Sequence, residues 1–392
     1  MRRFALLATI VALLGACQPS TPAASGHGPS PSASATPSAS ATASAHPTAT
    51  ATSAPSSGPA TLTGPYGILL RPGNLLLIKP DATVAATVDL APPSVVFCSS
   101  AQDGAMEPPP VSASNTQVYF RDGDTKIRRV NLPSGATDVT TVPGGPTTVS
   151  FFSVSPDDQR IAVVVEDVSA ATTISLRLYV EDLVGHGHHA DIYTTTQPKG
   201  KLGTTLWPLG WHQGALVLAV VVACTFEPAG LTPSEWHVSN ASTAVRIATI
   251  SANNCTLSLW PSPAGVGCIT YSSGATTLYD WSGKVVAVTG PNATGSGYTQ
   301  TGLSPAGNSI FFATGSGIGA PAPATGIVQL GPGPYTTVQG HMACGWIDED
   351  HLLAFDSVIQ FPAETPGNVH VNALVTPIGA SGNCAGRFPG GL

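Results

Sequence analysis

Charge is scarce in this chain: 15 basic and 22 acidic side chains make up only 9% of 392 residues. Nucleic-acid binding needs a basic stripe, and the one dense basic cluster, Lys126 to Arg129, sits in a β-like pattern as a solvated face. The usual catalytic signatures are missing too. There is no G-x-S-x-G nucleophile elbow, no H-E-x-x-H and no Walker A loop, and no C-x-x-C. Calcium loops of the D-x-D-x-D-G kind are absent, and Asp122-Gly123-Asp124 is short enough to be a hairpin turn. The glycine-rich run 315–319 leads into APAPATG rather than a helix, which argues against a phosphate cradle. No long segment carries a helical period. No catalytic residue is identified, and no cofactor is expected.

What is present is a recurring β pattern, clearest over residues 151–196. FFSV is a short apolar run, and Ser155-Pro156-Asp157-Asp158 makes a tight turn, with proline presetting φ and aspartate bonding its own backbone. RIAVVVE, from Arg160, has the continuous apolar character of a strand buried on both faces. SLRLYVED, from Ser175, alternates as a half-buried strand does, and a fourth strand starts at Ala190 after GHGHH. Four antiparallel strands in about 45 residues match one blade of a β-propeller.

Ser155 lies six positions before Ile161, where the buried strand begins. The same offset recurs at Ser112, Ser262 and Ser304, and without serine at Trp211 and Ile347. These anchors follow one another at intervals of roughly 42 to 56 residues, the period of propeller blades. Strand–turn–strand tails follow them, and one more such tail, 74–90, precedes the first, itself preceded by YGILLR (66–71). The expectation is an all-β propeller with seven four-stranded blades, the first of which has an uncertain innermost strand; six and eight blades are the alternatives. SPDDQRIAVVV followed by LRLYVEDL resembles the repeats of TolB-like and WD-type propellers, over roughly residues 62–385. The resemblance implies the fold. It implies no function, because no blade has the full Gly-His and Trp-Asp signature of WD repeats and propellers host unrelated activities.

At the N-terminus, Arg2 and Arg3 precede an apolar run, 4–14, too short to span a bilayer. It ends in Leu14-Gly15-Ala16-Cys17, which resembles the lipobox of bacterial lipoproteins. That resemblance implies cleavage after residue 16, diacylglyceryl attachment to the Cys17 thiol and acylation of its amino group, palmitate among the chains. Two or more chains anchor stably where one does not. An ordinary secretory signal with a chance cysteine is the alternative, and Gln18 leaves sorting between two membranes open. Losing Arg2 and Arg3 with the signal takes the formal charge from -7 to -9. Residues 17–60 then form a Ser/Thr/Pro/Ala-rich stalk, too poor in apolar bulk to order itself and suited to glycosylation. Residues 61–392 are the propeller, because the blade period runs through without a linker.

Of seven cysteines, lipidation of Cys17 leaves Cys98, Cys224, Cys255, Cys268, Cys344 and Cys384. An even number in an oxidising compartment favours disulfides, and six allow fifteen connectivities. Cys224–Cys255 would staple neighbouring blades, and Cys344 and Cys384 fall in the last unit. Cys98 would pair with Cys268 or, closing the ring, with Cys384; Cys268 could also be a free core thiol. His186, His188 and His189, flanked by Asp182 and Asp191, are weak candidate zinc or copper ligands, against an exposed polar turn. Ser155 to Asp158 and Asp348-Glu349-Asp350 supply paired carboxylates, both at turns where aspartate is favoured for geometry. Trp207, Trp211, Trp260 and Trp346 lie near first strands, suited to core or channel packing or to stacking a ligand at the rim.

Three functions fit: a monomeric, membrane-anchored binding or scaffold module for an envelope protein or glycan; an extracellular propeller enzyme of lactonase, lyase or glycosidase type; or a sensor-type ectodomain. An enzyme requires carboxylates or histidines converging on one channel mouth. A scaffold requires an inert channel and an exposed apolar patch. The stalk reading makes a direct prediction: deleting residues 19–59 leaves the thermal unfolding midpoint of the remaining domain unchanged, and a lowered midpoint overturns it.

Overall fold

The computed structural model describes residues 61–392 except 99–104, 107–110, 200–202, 224–234, 252–254, 258–260, 271–274, 290–297, 315–321, 331–334 and 362–372. The signal segment, the stalk, Cys17, Cys224, Trp260 and the 315–319 glycine run lie outside the described residues. Among the described residues every regular element is a strand, and the strands form seven four-stranded antiparallel sheets arranged as a propeller, plus one two-stranded hairpin.

The template region is blade 3: β10 (Thr148–Val154), β11 (Arg160–Asp167), β12 (Thr173–Asp182) and β13 (Ala190–Pro198), paired in that order. Six consecutive residues of β11 are buried, as its apolar run demands, whereas β13 is half exposed at the rim. Blade 2 comprises β6 (Val111–Ala113), β7 (Val118–Asp122), β8 (Lys126–Val130) and β9 (Ala136–Thr141). Blade 4 comprises β14 (Thr204–His212), β15 (Ala215–Val222), β16 (Glu235–Asn240) and β17 (Arg246–Ser251). Blade 5 is built from β18 (Cys255–Leu257), β19 (Val266–Thr270), β20 (Thr276–Tyr279) and β21 (Val285–Thr289). Blade 6 is built from β22 (Tyr298–Leu303), β23 (Ser309–Thr314), β24 (Ala324–Gln329) and β25 (Tyr335–Gln339). Blade 7 holds β26 (Ala343–Trp346), β27 (His351–Ala354), β28 (Ser357–Gln360) and β29 (Leu374–Pro377). A short hairpin, β4 (Val96–Phe97) with β5 (Ala105–Met106), lies between blades 1 and 2.

Blade 1 is composite. β1 (Tyr66–Arg71), β2 (Asn74–Ile78) and β3 (Val84–Asp89) come from the start of the domain, and the innermost strand, β30 (Asn383–Phe388), comes from its end. β30 runs antiparallel to β1 with Tyr66 opposite Phe388 and Leu69 opposite Cys384. The missing first strand is thus supplied by the other end of the chain. Cys384 therefore belongs to blade 1 and not, as its position in sequence suggests, to the last unit. Its disulfide with Cys344, on β26 of blade 7, crosses the closure of the ring. The ring-closing role imagined for Cys98–Cys384 is filled by this bond instead. Cys98 and Cys268 are also disulfide-bonded, so Cys268 is not a free thiol.

Two anchors lie inside strands and not at turns, Ser112 in β6 and Trp211 in β14. In blade 2 the turn runs from Ser114 to Gln117, whose backbones bond at 2.9 Å, and Ser112 lies inside β6. Blade 2 turns through Asn115 and Thr116 alone, whereas blade 3 needs the four residues between Ser155 and Arg160, so a fixed offset slips by two. Ser112 does something else: its hydroxyl accepts the Val154 amide of blade 3 at 2.9 Å.

Facing blades bury their sheets against each other, and tryptophan indoles register them. Trp211 on β14 donates to the Ser153 carbonyl of blade 3 at 3.2 Å, and Trp346 on β26 donates to the Gly302 carbonyl of blade 6 at 2.9 Å. Trp207, Trp211 and Trp346 are all buried, which makes them core rather than a rim for stacking ligands. The Arg160 guanidinium stacks 4.8 Å from the Trp211 ring.

The closure predicts a specific cost. Cys344–Cys384 spans 40 residues, and constraining an unfolded loop of that size contributes roughly 3–4 kcal/mol. Cys384→Ser should lower the unfolding free energy by about that much in guanidinium titration. An unchanged midpoint would show that the β30–β1 pairing closes the ring unaided.

Candidate functional site

The first strands of the blades surround the propeller axis, and the turns that follow them share one face. At that face the chain's own residues 387–392 enter the channel mouth. Beside them, among the described residues, a cavity of about 70 Å³ is lined by groups including Val111, Leu209, Leu303, Trp346, Arg387 and Leu392. That holds a few waters, far below the several hundred Å³ of a typical small-molecule pocket. Leu209 reaches the cavity because it is the extra residue of a bulge in β14, between Pro208 and Gly210.

The hydrogen bonds of residues 389–392 all use the tail's main chain. Gly390 donates its amide to the Ser114 carbonyl at 2.9 Å and Leu392 donates to the Trp211 carbonyl at 3.1 Å. The Gly391 amide bonds Asn115 Oδ1 at 3.2 Å. Arg387 turns back on the tail, donating to the Pro389 and Gly391 carbonyls at 2.8 and 3.5 Å. Burial lowers the Arg387 pKa to about 10, with Glu349 acting in the opposite direction. The guanidinium therefore stays charged at neutral pH.

The paired carboxylates do not converge on this mouth as reacting groups; they tie turns together. Asp157 accepts the Ser155 hydroxyl, which holds its pKa below the usual carboxylate range together with the Gln159 amide. Asp158 accepts the hydroxyls of Thr116 and Tyr119, across the gap to blade 2. Burial and the negative Asp158 push the Tyr119 phenol well above its ordinary value, so it remains a donor. In blade 7, Glu349 reaches to blade 6 and accepts the Ser304 hydroxyl at 2.7 Å and the Ala306 amide at 2.8 Å. Burial opposes charge on Asp348, but hydrogen bonds from the His351 ring and the Asp350 and His351 amides hold its pKa low. Ser262 in turn donates to the Ser304 carbonyl at 2.6 Å.

The histidine hairpin joins β12 to β13 on the same face of its blade as the first turn. His186 and His189 each direct Nδ1 at one oxygen of the buried Glu181, both at 2.7 Å. His188 does the same to Asp182, also at 2.7 Å, and His189 Nε2 lies 3.4 Å from Asp191. The three imidazoles are thus divided between carboxylates rather than gathered on a point. Among the described residues no three His, Cys, Asp or Glu side chains are arranged to hold a metal ion. Glu181, Arg387 and Asn115 escaped sequence reasoning because each is a single residue in no motif.

A further carboxyl lies between blades. Glu166 on β11 is fully buried; the Thr205 hydroxyl of blade 4 donates to Oε1, and Oε2 has no hydrogen-bond partner among the described residues. Burial raises its pKa to about 7, against the Thr205 hydrogen bond that lowers it.

No known family model matches the sequence, and no significantly similar curated protein is found. Similar solved structures include a protein from Lactobacillus plantarum, at 12% identity and TM-score 0.44, covering 82% of this chain and 97% of that one. An oligogalacturonate lyase in complex with manganese is 9% identical, with TM-score 0.43 over 68% of this chain and 76% of its own. TolB from Acinetobacter baumannii is 14% identical, with TM-score 0.34 over 66% of this chain and 61% of its own. At these identities and scores no activity, metal or partner transfers to this chain.

Glu166 gives a pH prediction. A carboxyl whose pKa is raised in the fold stabilises fully below its unfolded value and loses that contribution as pH rises through about 7. Between about pH 5 and pH 8 the wild-type unfolding free energy should fall by a few kcal/mol relative to Glu166→Gln. Parallel pH profiles of the two proteins would refute this.

Proposed function

We propose that the protein is a binding or scaffold module of the cell envelope, held at the extracytoplasmic face of the membrane by lipid on Cys17. The observation that carries the reading is the channel mouth: the chain's own tail packs into it, and the nearby turn carboxylates Asp158 and Glu349 are engaged in holding blades together. A propeller enzyme would have to present those groups to a substrate.

The rim offers a surface for a partner. On the outer strands of neighbouring blades 4 and 5, Val245, Ile247, Val285, Val286 and Val288 are exposed, Val245 at 64% and Val288 at 63%. The turn leading into β21 meets β17, since a Cβ on Gly283 would stand 2.8 Å from the Thr249 carbonyl oxygen. Apolar side chains on an open sheet edge are a surface that a protein partner can cover.

Replacing Cys17 by Ser is expected to move the protein from the membrane to the soluble fraction; retention in the membrane would overturn the anchor. Lys284, exposed at the start of β21, places an amine beside the apolar rim. Amine-reactive cross-linking on intact cells should give one discrete adduct with the anchored protein, and Val286→Glu should weaken it. A Val286→Glu protein that cross-links as well as wild type would exclude this rim as the contact.

A further inference from the structure

The tail in the channel mouth is bound the way a peptide ligand is bound. We propose that this mouth is a peptide-binding site occupied in cis by residues 389–392. Its ligand class is an extended segment with two consecutive glycines followed by a branched aliphatic residue. The inference deepens the binding-module reading and rests on it, adding the chemistry of what one part of the module recognises.

Main-chain hydrogen bonds from the tail reach two blades that are not neighbours, Ser114 and Asn115 in blade 2 and Trp211 in blade 4. The segment therefore spans the mouth instead of extending one sheet. The Arg387 guanidinium takes the carbonyls on either side of Gly390, so the segment's acceptors as well as its donors are matched. Such contacts recognise an extended backbone of any sequence, and selectivity must come from side-chain space.

That space is defined. A Cβ on Gly390 would lie 2.3 Å from the Ala113 carbonyl oxygen, and one on Gly391 would lie 2.5 Å from Asn115 Oδ1. The backbone carbonyl excludes any side chain at 390, whereas a side chain at 391 would have to push the Asn115 amide aside and break its bond to the tail. Leu392 by contrast is seated in a notch made by the absence of a side chain at Gly210. A Cβ there would stand 2.6 Å from Leu392 Cδ1 and 3.0 Å from its Cγ, and its three nearest neighbours would all be atoms of the Leu392 side chain. Gly210 thus serves the aliphatic side chain and not its own strand.

A tethered segment competes with free ligand at an effective concentration on the order of millimolar. A free peptide must displace it, and a variant with a loosened tail should bind that peptide more tightly. The test uses the full chain carrying Gly390→Val and Gly391→Val, with fluorescence anisotropy of a labelled Arg-Phe-Pro-Gly-Gly-Leu peptide. Binding at least about tenfold tighter than to wild type is expected, and the same peptide with valines for its glycines should not bind. Failure of the folded variant to bind the glycine peptide overturns the site. The wider reading has its own test, cross-linking at the rim of blades 4 and 5, which that result leaves standing.

Should the double variant not fold, Leu392→Ala in the full chain serves the same peptide assay, and a stability cycle with Gly210→Ala adds a second measurement. Gly210→Ala should destabilise wild type and leave the Leu392→Ala background unaffected. Equal effects in both backgrounds, or no peptide binding to Leu392→Ala, likewise overturn the proposal.

Discussion

Everything in this molecule depends on bringing β30 beside β1. A propeller blade buries its two faces only against its neighbours, so an open ring would leave two sheets bare. The residues that join, Tyr66 and Phe388, are both buried, and their rings lie 5.9 Å apart. The Cys344–Cys384 bond fixes the next blade to the same strand. Because β30 also leads directly into the tail, the device that closes the ring is the one that delivers Arg387 and Leu392 to the channel mouth.

The sparse charge is consistent with that arrangement. Few carboxylates are available, and those on the first-turn face hold neighbouring turns in place: Asp158 across blades 2 and 3, Glu349 across blades 6 and 7. Serine hydroxyls continue the chain of contacts from Ser262 to Ser304. Asp and Ser favour such turns on local grounds, but here their free oxygens are also the mortar between blades. The indoles of Trp211 and Trp346 repeat the same logic one layer deeper, each donating to a carbonyl of the preceding blade.

The histidine hairpin illustrates how a motif can mislead. Three imidazoles within four residues suggest a metal, yet His186 and His188, at positive φ of 56° and 48°, bond different carboxylates, Glu181 and Asp182. Two of the three rings share the buried Glu181. Spacing in sequence does not determine convergence in space when the backbone between the residues reverses.

Local pattern alone marked most strands, their blade period and most turns, and favoured seven blades over six or eight, because burial on both faces of a β11-like strand writes itself as an unbroken apolar run, and a turn writes itself as Ser-Pro-Asp. Even there a fixed offset erred where the loop length changed, at Ser112 in place of Ser114. What only the tertiary structure decided is where the ends of the domain meet. The pairing of β30 with β1, the assignment of Cys384 to blade 1, and the seat of Leu392 against Gly210 involve partners far apart in sequence, joined by a ring whose closure no local periodicity encodes. A glycine that leaves room for a distant leucine looks, in sequence, like any other glycine.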